Sequence, residues 1–204
     1  MLEAQKLAAR RGFATLFSGL SFRVNEGEAL VVSGANGTGK TTLLRIIAGL
    51  TTPATGTLKW NGEAVEPLDR DFRRVVAYAG HLPALKDDLT AEENLASLLM
   101  LDGEAVTRDT LRRALDDVAL SRQQSLPARV LSQGQRRRIG LARLALMPRP
   151  LWILDEPTTA LDASGVELLG RVLAQHLSDG GILVAATHAA LGLPAARVKS
   201  VALG

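Results

Sequence analysis

Nine residues, Gly34-Ala35-Asn36-Gly37-Thr38-Gly39-Lys40-Thr41-Thr42, constrain this chain more than any other stretch. They follow the pattern of Gly, four free positions, Gly-Lys and a hydroxyl residue. The apolar run Ala29-Leu30-Val31-Val32 leads in and Leu43-Leu44-Arg45-Ile46-Ile47 leads out, so the glycines fall where a strand turns into a helix. That context is what a phosphate-binding loop requires. Glycines let the backbone curl round a pyrophosphate with its N–H groups inward, and the helix start adds partial positive charge. Lys40 is placed to reach the β- and γ-phosphates, and Thr41 to hold Mg²⁺. The expected ligand is a nucleotide.

Around this loop the spacing predicts an α/β fold with a mostly parallel core sheet flanked by helices. Leu7 to Ala9, Gly12 to Phe17 and Leu20 to Val24 read as short strand segments of an antiparallel subdomain, and Asn25-Glu26-Gly27-Glu28 as a hairpin-type turn into the loop strand. Thr57 to Trp60 reads as a strand closed by a tight Asn61-Gly62 turn, and Val75 to Tyr78 as another strand ending near Gly80-His81. From Thr90 the period becomes helical. Thr90 with Glu93 and Ser132 with Gln135 are two capping boxes, and Leu111, Leu115 and Val118 mark a helix between them. Leu151-Trp152-Ile153-Leu154 and Ile182 to Ala186 are unbroken apolar runs suited to strands covered on both faces, separated by a helix from Ala163 to Leu177. The expectation is a single domain over 1–204, with core and β-subdomain in 1–87 and 149–204 and a helical subdomain in 88–148.

Two carboxylates close the first of those buried strands. Asp155 and Glu156 therefore lie at the rim where parallel sheets bind ligands. With a phosphate loop nearby, Asp155 is a Mg²⁺ ligand and Glu156 polarises the water that attacks the γ-phosphate. His188 ends the next buried strand, where a neutral imidazole could hydrogen-bond the γ-phosphate and that water. His176, on a helix flank, is read as structural.

Composition narrows the partners. At 47% hydrophobic residues the chain can build a substantial core, and no run approaches a membrane span. The opening Met1-Leu2-Glu3-Ala4-Gln5-Lys6 lacks the order of a secretory signal, so a cytoplasmic site is expected. The absence of Cys excludes disulfides and thiolate chemistry. The net charge of +3 comes from scattered basic residues whose densest cluster is Arg136-Arg137-Arg138, so no nucleic-acid partner is expected.

Taken in order, the phosphate loop, Leu131-Ser132-Gln133-Gly134-Gln135, Leu151 to Glu156, Ala160-Leu161-Asp162 and His188 resemble the motifs of the ATP-binding subunits of ABC transporters. The likeness covers nearly the whole chain. It implies the ABC ATPase form of the P-loop fold, with ATP and Mg²⁺ as cofactors. Two copies would pair head to tail, so that Ser132, Gly134 and Gln135 of one close on the γ-phosphate held by Lys40 of the other. ATP hydrolysis would then drive integral membrane subunits.

Two positions depart from the pattern. The family commonly has Gln where His81 stands; His81 is read either as a catalytic hydrogen-bond acceptor near the metal and water, or as a surface-loop histidine. Arg11 stands where an adenine-stacking Tyr is common, leaving Phe13 or the Arg11 guanidinium to stack. The stretches Gly80-His81-Leu82-Pro83, Leu85-Lys86 and Leu89 to Leu95 are most similar to the ATPase subunit of bacterial cytochrome c maturation systems. That resemblance implies coupling to haem export or to release of a haem-loaded chaperone, at the cytoplasmic face of the inner membrane. No direct haem contact is expected, and the segment from Leu82 to Leu95 is the candidate contact with the membrane partner. The alternatives are a motor for lipoprotein or peptide export, or a soluble ABC ATPase acting on DNA or ribosomes.

Overall fold

A computed structural model describes residues 1–81 and 84–204. Leu82 and Pro83, within the segment expected to meet a membrane partner, lie outside the described residues. In chain order the elements are β1 (Leu2–Arg11), β2 (Ala14–Val24), β3 (Ala29–Gly34), α1 (Lys40–Ile47), β4 (Thr55–Trp60), β5 (Glu63–Ala64), α2 (Arg70–Val75) and β6 (Val76–Ala79). They continue with α3 (Ala91–Leu101), α4 (Arg108–Asp117), α5 (Gln133–Leu146), β7 (Leu151–Asp155), α6 (Ala163–Ser178), β8 (Ile182–Ala186) and β9 (Val198–Leu203). The chain divides into two compact units.

The first unit comprises residues 1–81, 149–157 and 173–204. Its antiparallel sheet has the order β2-β1-β4-β5, and its five-stranded sheet the order β6-β7-β8-β3-β9. All four pairings of the second sheet are parallel. One core joins both sheets: Leu2, Leu7 and Phe17 from the antiparallel side pack with Leu30, Val32, Ile153 and Val184 and with α1 residues Leu43, Leu44, Ile46 and Ile47. Burying each of those four α1 side chains contributes roughly 1.5–3 kcal/mol, which is why an eight-residue helix with a glycine start holds its place.

Three expectations need correction. The N-terminal segments are not three short strands but two long ones paired along their length, with irregular register between Ala4 and Arg10 that breaks the alternation. Asn25 to Glu28 is not a hairpin turn: β2 belongs to the antiparallel sheet and β3 to the parallel one, so this turn carries the chain between sheets. It is held by Asn25 N–H to Glu28 Oε2 at 2.7 Å and by Gly27 N–H to Gly181 O at 2.9 Å. Val75 ends α2 rather than starting the strand.

The Asn61-Gly62 turn does close a two-residue hairpin between β4 and β5, with φ of 51° and 91°. These positive angles suit an Asn-Gly pair.

The second unit comprises residues 82–148 and 158–172, described from Ala84 onward. Helices α3, α4 and α5 pack through Leu95, Leu99, Leu115, Ile139 and Leu144. Both predicted capping boxes are present, at Thr90 with Glu93 and at Ser132 with Gln135. Arg143 forks onto Asp102 at 2.7 and 2.8 Å.

Candidate active site

The loop after β3 and the start of α1 form one wall of a cavity of about 380 Å³ in the first unit. Asn36, Gly37, Gly39, Lys40, Thr41 and Thr42 line it together with Asp155 and Glu156 from the end of β7. Arg11, Leu16 and His81 complete the lining. Gly34, Ala35 and Thr38 shape the loop from behind: a Cβ on Gly34 would strike the Leu203 carbonyl, and the Thr38 hydroxyl donates to Ala35 O at 2.9 Å. Gly39 sits at φ 100°, and its Cβ position would lie 3.0 Å from Leu16 Cβ. Only glycine meets both conditions cheaply, which explains the third glycine of the motif.

Lys40 is buried, and its Nζ donates to Gly34 O at 2.7 Å, to Ala35 O at 3.2 Å and to His188 Nε2 at 3.2 Å. Thr41 Oγ1 donates to Asp155 Oδ2 at 2.7 Å, tying the first turn of α1 to the end of β7. Next door, burial raises the Tyr78 phenol above its ordinary range, and the negative charge of Asp155 adds to the effect.

Glu156 has φ 50°, a left-handed conformation that a glutamate adopts only under constraint. The constraint is visible: its N–H donates to Ala186 O at 2.8 Å, so β8 pins the turn that leaves β7. His188 Nε2 lies 4.0 Å from Glu156 Oε1. Thr187 is buried, and its hydroxyl oxygen accepts the Ala189 N–H at 3.0 Å, closing a small turn around His188.

Lys40, Thr41, Asp155, Glu156 and His81 therefore share one cavity, and His188 is hydrogen-bonded to the lysine. Arg11 lines the cavity, whereas Phe13 is fully exposed in the β1–β2 turn. Leu16 was not anticipated, since nothing in an alternating strand marks one residue as a cavity wall. His176 is buried as a structural residue, stacked on Trp152 with ring centroids 3.9 Å apart.

Ser132, Gly134 and Gln135 belong to the second unit, at the start of α5. Ser132 Oγ accepts the Gln135 N–H at 3.2 Å, and Gln135 Oε1 accepts the Ser132 N–H at 2.9 Å. A Cβ on Gly134 would come 2.9 Å from the carbonyl of Ala160, itself at φ 64°. Arg138 donates to Asp162 Oδ1 at 2.9 Å, so the α5 start and the 160–165 turn are built against each other. The Gly165 N–H, then Ser164 and Arg138, hold the Asp162 carboxyl below the usual carboxylate range.

The glycine-rich loop at the carboxyl edge of the parallel sheet faces the Asp155-Glu156 pair across one cavity. The ABC transporter family matches residues 17–159. The chain belongs to the ABC transporter family. Among its ABC relatives, the cytochrome c biogenesis ATP-binding export protein CcmA of Nitrosomonas europaea is 47% identical, over 100% of this chain and 95% of that protein. The protein of the same name from Dechloromonas aromatica is 44% identical over the full length of both. Among solved structures, a dimeric ATP-binding cassette in a post-hydrolysis state with ADP and Pi superposes with a TM-score of 0.80 at 26% identity. The match covers 93% of this chain and 88% of that one. The fold is the ABC ATPase fold, an α/β structure with an antiparallel sheet and a parallel sheet flanked by helices.

Proposed function

We propose that this chain is the ATP-hydrolysing subunit of a cytochrome c maturation complex, peripheral on the cytoplasmic face of the bacterial inner membrane, where ATP turnover drives integral membrane subunits in haem export or release of a haem-loaded chaperone. The observation that carries the ATPase reading is the cavity that Lys40, Thr41, Asp155 and Glu156 line together. The maturation reading rests on two full-length relatives that share one name. The chain acts as one domain over 1–204, with 88–148 as its helical subdomain.

The residues divide the work. Backbone from Gly34 to Thr42 wraps the phosphates and Lys40 pairs with the β/γ oxygens. The Thr41 hydroxyl and Asp155 carboxylate, 2.7 Å apart, are hard oxygen donors that fit Mg²⁺. When bound, Mg²⁺ neutralises charge on the β- and γ-phosphates. Glu156, fixed by its strained turn, accepts the proton of the attacking water, and His188 orients that water and the γ-phosphate. His81 supplies a further hydrogen-bond acceptor in place of an amide. Ser132, Gly134 and Gln135 of a second, head-to-tail copy close on the γ-phosphate, where the start of α5 adds N–H groups and partial positive charge that favour an anion.

Purification from membranes in mild detergent tests this reading. The expected result is recovery with integral membrane subunits and ATPase activity that Glu156→Gln removes. Recovery with ribosomes or DNA, and without membrane subunits, would overturn it.

A further inference from the structure

The cavity wall sorts by chemistry, and one part of it has no task in handling phosphate. The loop residues and Lys40 meet phosphate, Thr41 and Asp155 are the hard oxygen donors, and Glu156 and His81 serve the attacking water. What is left is Arg11 at the end of β1 and Leu16 on β2, both from the antiparallel sheet. A nucleoside triphosphate likewise has one part left once its phosphates are placed, the base with its sugar.

The backbone fixes where Arg11 stands. It pairs with Ala14 across the two-residue turn Gly12-Phe13, whose glycine has φ 60°, as the first position of such a turn demands. Phe13 follows in that turn, fully exposed and outside the cavity lining. Leu16 packs over Gly39 and so stays on the wall. Among the described residues no hydrogen bond or ion pair engages the Arg11 side chain, so the face of its guanidinium and its five N–H donors are open to a ligand.

Neither residue favours adenine over guanine. Leucine has no polar side-chain atom and a guanidinium only donates, whereas adenine marks itself by an amino group that needs an acceptor. Guanine offers two acceptors, O6 and N7, to an arginine edge, and either purine offers a π face to a stacked guanidinium. We propose that Arg11 holds the purine against its guanidinium face, and that the site for this reason binds GTP as well as ATP. This rests on the nucleotide site of the proposed function. Strong rejection of a close analogue, roughly 10⁴-fold or more, comes from polar groups that the wrong substrate leaves unpaired, and Arg11 and Leu16 present no acceptor of that kind.

Titration of the full chain with Mg²⁺ and non-hydrolysable analogues of ATP and GTP tests this, with tripolyphosphate as the ligand that lacks base and sugar. The wild type should bind the two analogues within about tenfold of each other, and a larger preference for the ATP analogue would overturn the proposal. Arg11→Ala should weaken both analogues by about 2- to 30-fold, the span for a cation over an aromatic face, and leave tripolyphosphate unchanged. Arg11→Tyr, which offers a ring in its place, should recover most of that loss. Arg11 is exposed, so the fold tolerates both changes, and urea midpoints check that it does. Equal weakening of tripolyphosphate would put Arg11 on phosphate and overturn the proposal, as would analogue binding that Arg11→Ala leaves intact. Lys40→Ala should weaken all three ligands; if it weakens none, the nucleotide site itself is wrong, whatever Arg11 does.

Discussion

Two helices in this molecule begin at a glycine-bearing motif, and they begin differently. At α1 the cap residue is Gly39, which has no side chain to offer the open N–H groups. At α5 the cap is Ser132, whose hydroxyl accepts from Gln135 N–H while Gln135 returns the bond. A glycine at this position costs only roughly a few tenths of a kcal/mol relative to a capping side chain, and it leaves the open N–H groups to an acceptor from outside the helix. In the proposed function a nucleotide phosphate fills that role at α1. The α5 start is complete within its own chain, yet the cap uses only a lone pair of the Ser132 oxygen. Its O–H remains able to donate to a phosphate held by a second copy. On the proposed function the α1 start is completed by its ligand, and the α5 start can lend a ligand contact without losing its fold.

Substitutions sharpen or break this contrast, in descending order of effect. Glu156→Gln should slow phosphate release in single turnover by about 10²–10⁴-fold with nucleotide affinity retained, since it removes the base and keeps the shape. Normal hydrolysis in that variant would sink the base assignment. Lys40→Ala should weaken ATP binding by about 10- to 150-fold in titration calorimetry, the loss of charged hydrogen bonds to phosphate. Gly39→Ala should cost about 1–3 kcal/mol of stability in urea unfolding, because its backbone is left-handed and Leu16 fills the space.

Ser132→Ala separates the two jobs of that residue. Stability should fall by only about 1 kcal/mol, while ATP turnover falls further than that change explains, and Ser132→Thr should restore much of both. If turnover merely follows stability, the hydroxyl serves the fold alone.

The smallest effect lies away from both helix starts. Burial, opposed by its bond to Ile182 O and by Asp179, holds the His176 imidazole below its ordinary value of 6.5. The folded chain then binds fewer protons than the unfolded one, so stability is complete above that value and is lost as pH falls below it. The slope is at most about 1.4 kcal/mol per pH unit. Urea midpoints between about pH 7.5 and 5.5 should show this slope in the wild type and a shallower one in His176→Phe, which keeps the stack on Trp152.

What the sequence made legible follows from how local each signal is. Both capping boxes, the Asn61-Gly62 hairpin and the buried strands β7 and β8 are written in adjacent residues, and each formed where expected. Helix α2 escaped notice because six residues with only Phe72 buried carry no measurable period. Strand β9 pairs with β3 across most of the chain, and its mixed exposure hides the partner. The turn at Asn25 to Glu28 looked like a hairpin because turn residues record a change of direction and not the sheet being entered. At the site, residue types and order placed Lys40, Thr41, Asp155 and Glu156 together. The left-handed Glu156 and the bond between Lys40 and His188 are products of tertiary packing, with no local signature.

The claim on which the rest depends is that the phosphate loop is half of a site. Light scattering on Glu156→Gln, with and without saturating Mg²⁺-ATP, tests it most directly. The expected result is a single 21.6 kDa chain without nucleotide and a particle of twice that mass with ATP, lost again on adding Ser132→Ala. A Glu156→Gln chain that binds ATP fully and stays single would contradict the shared site.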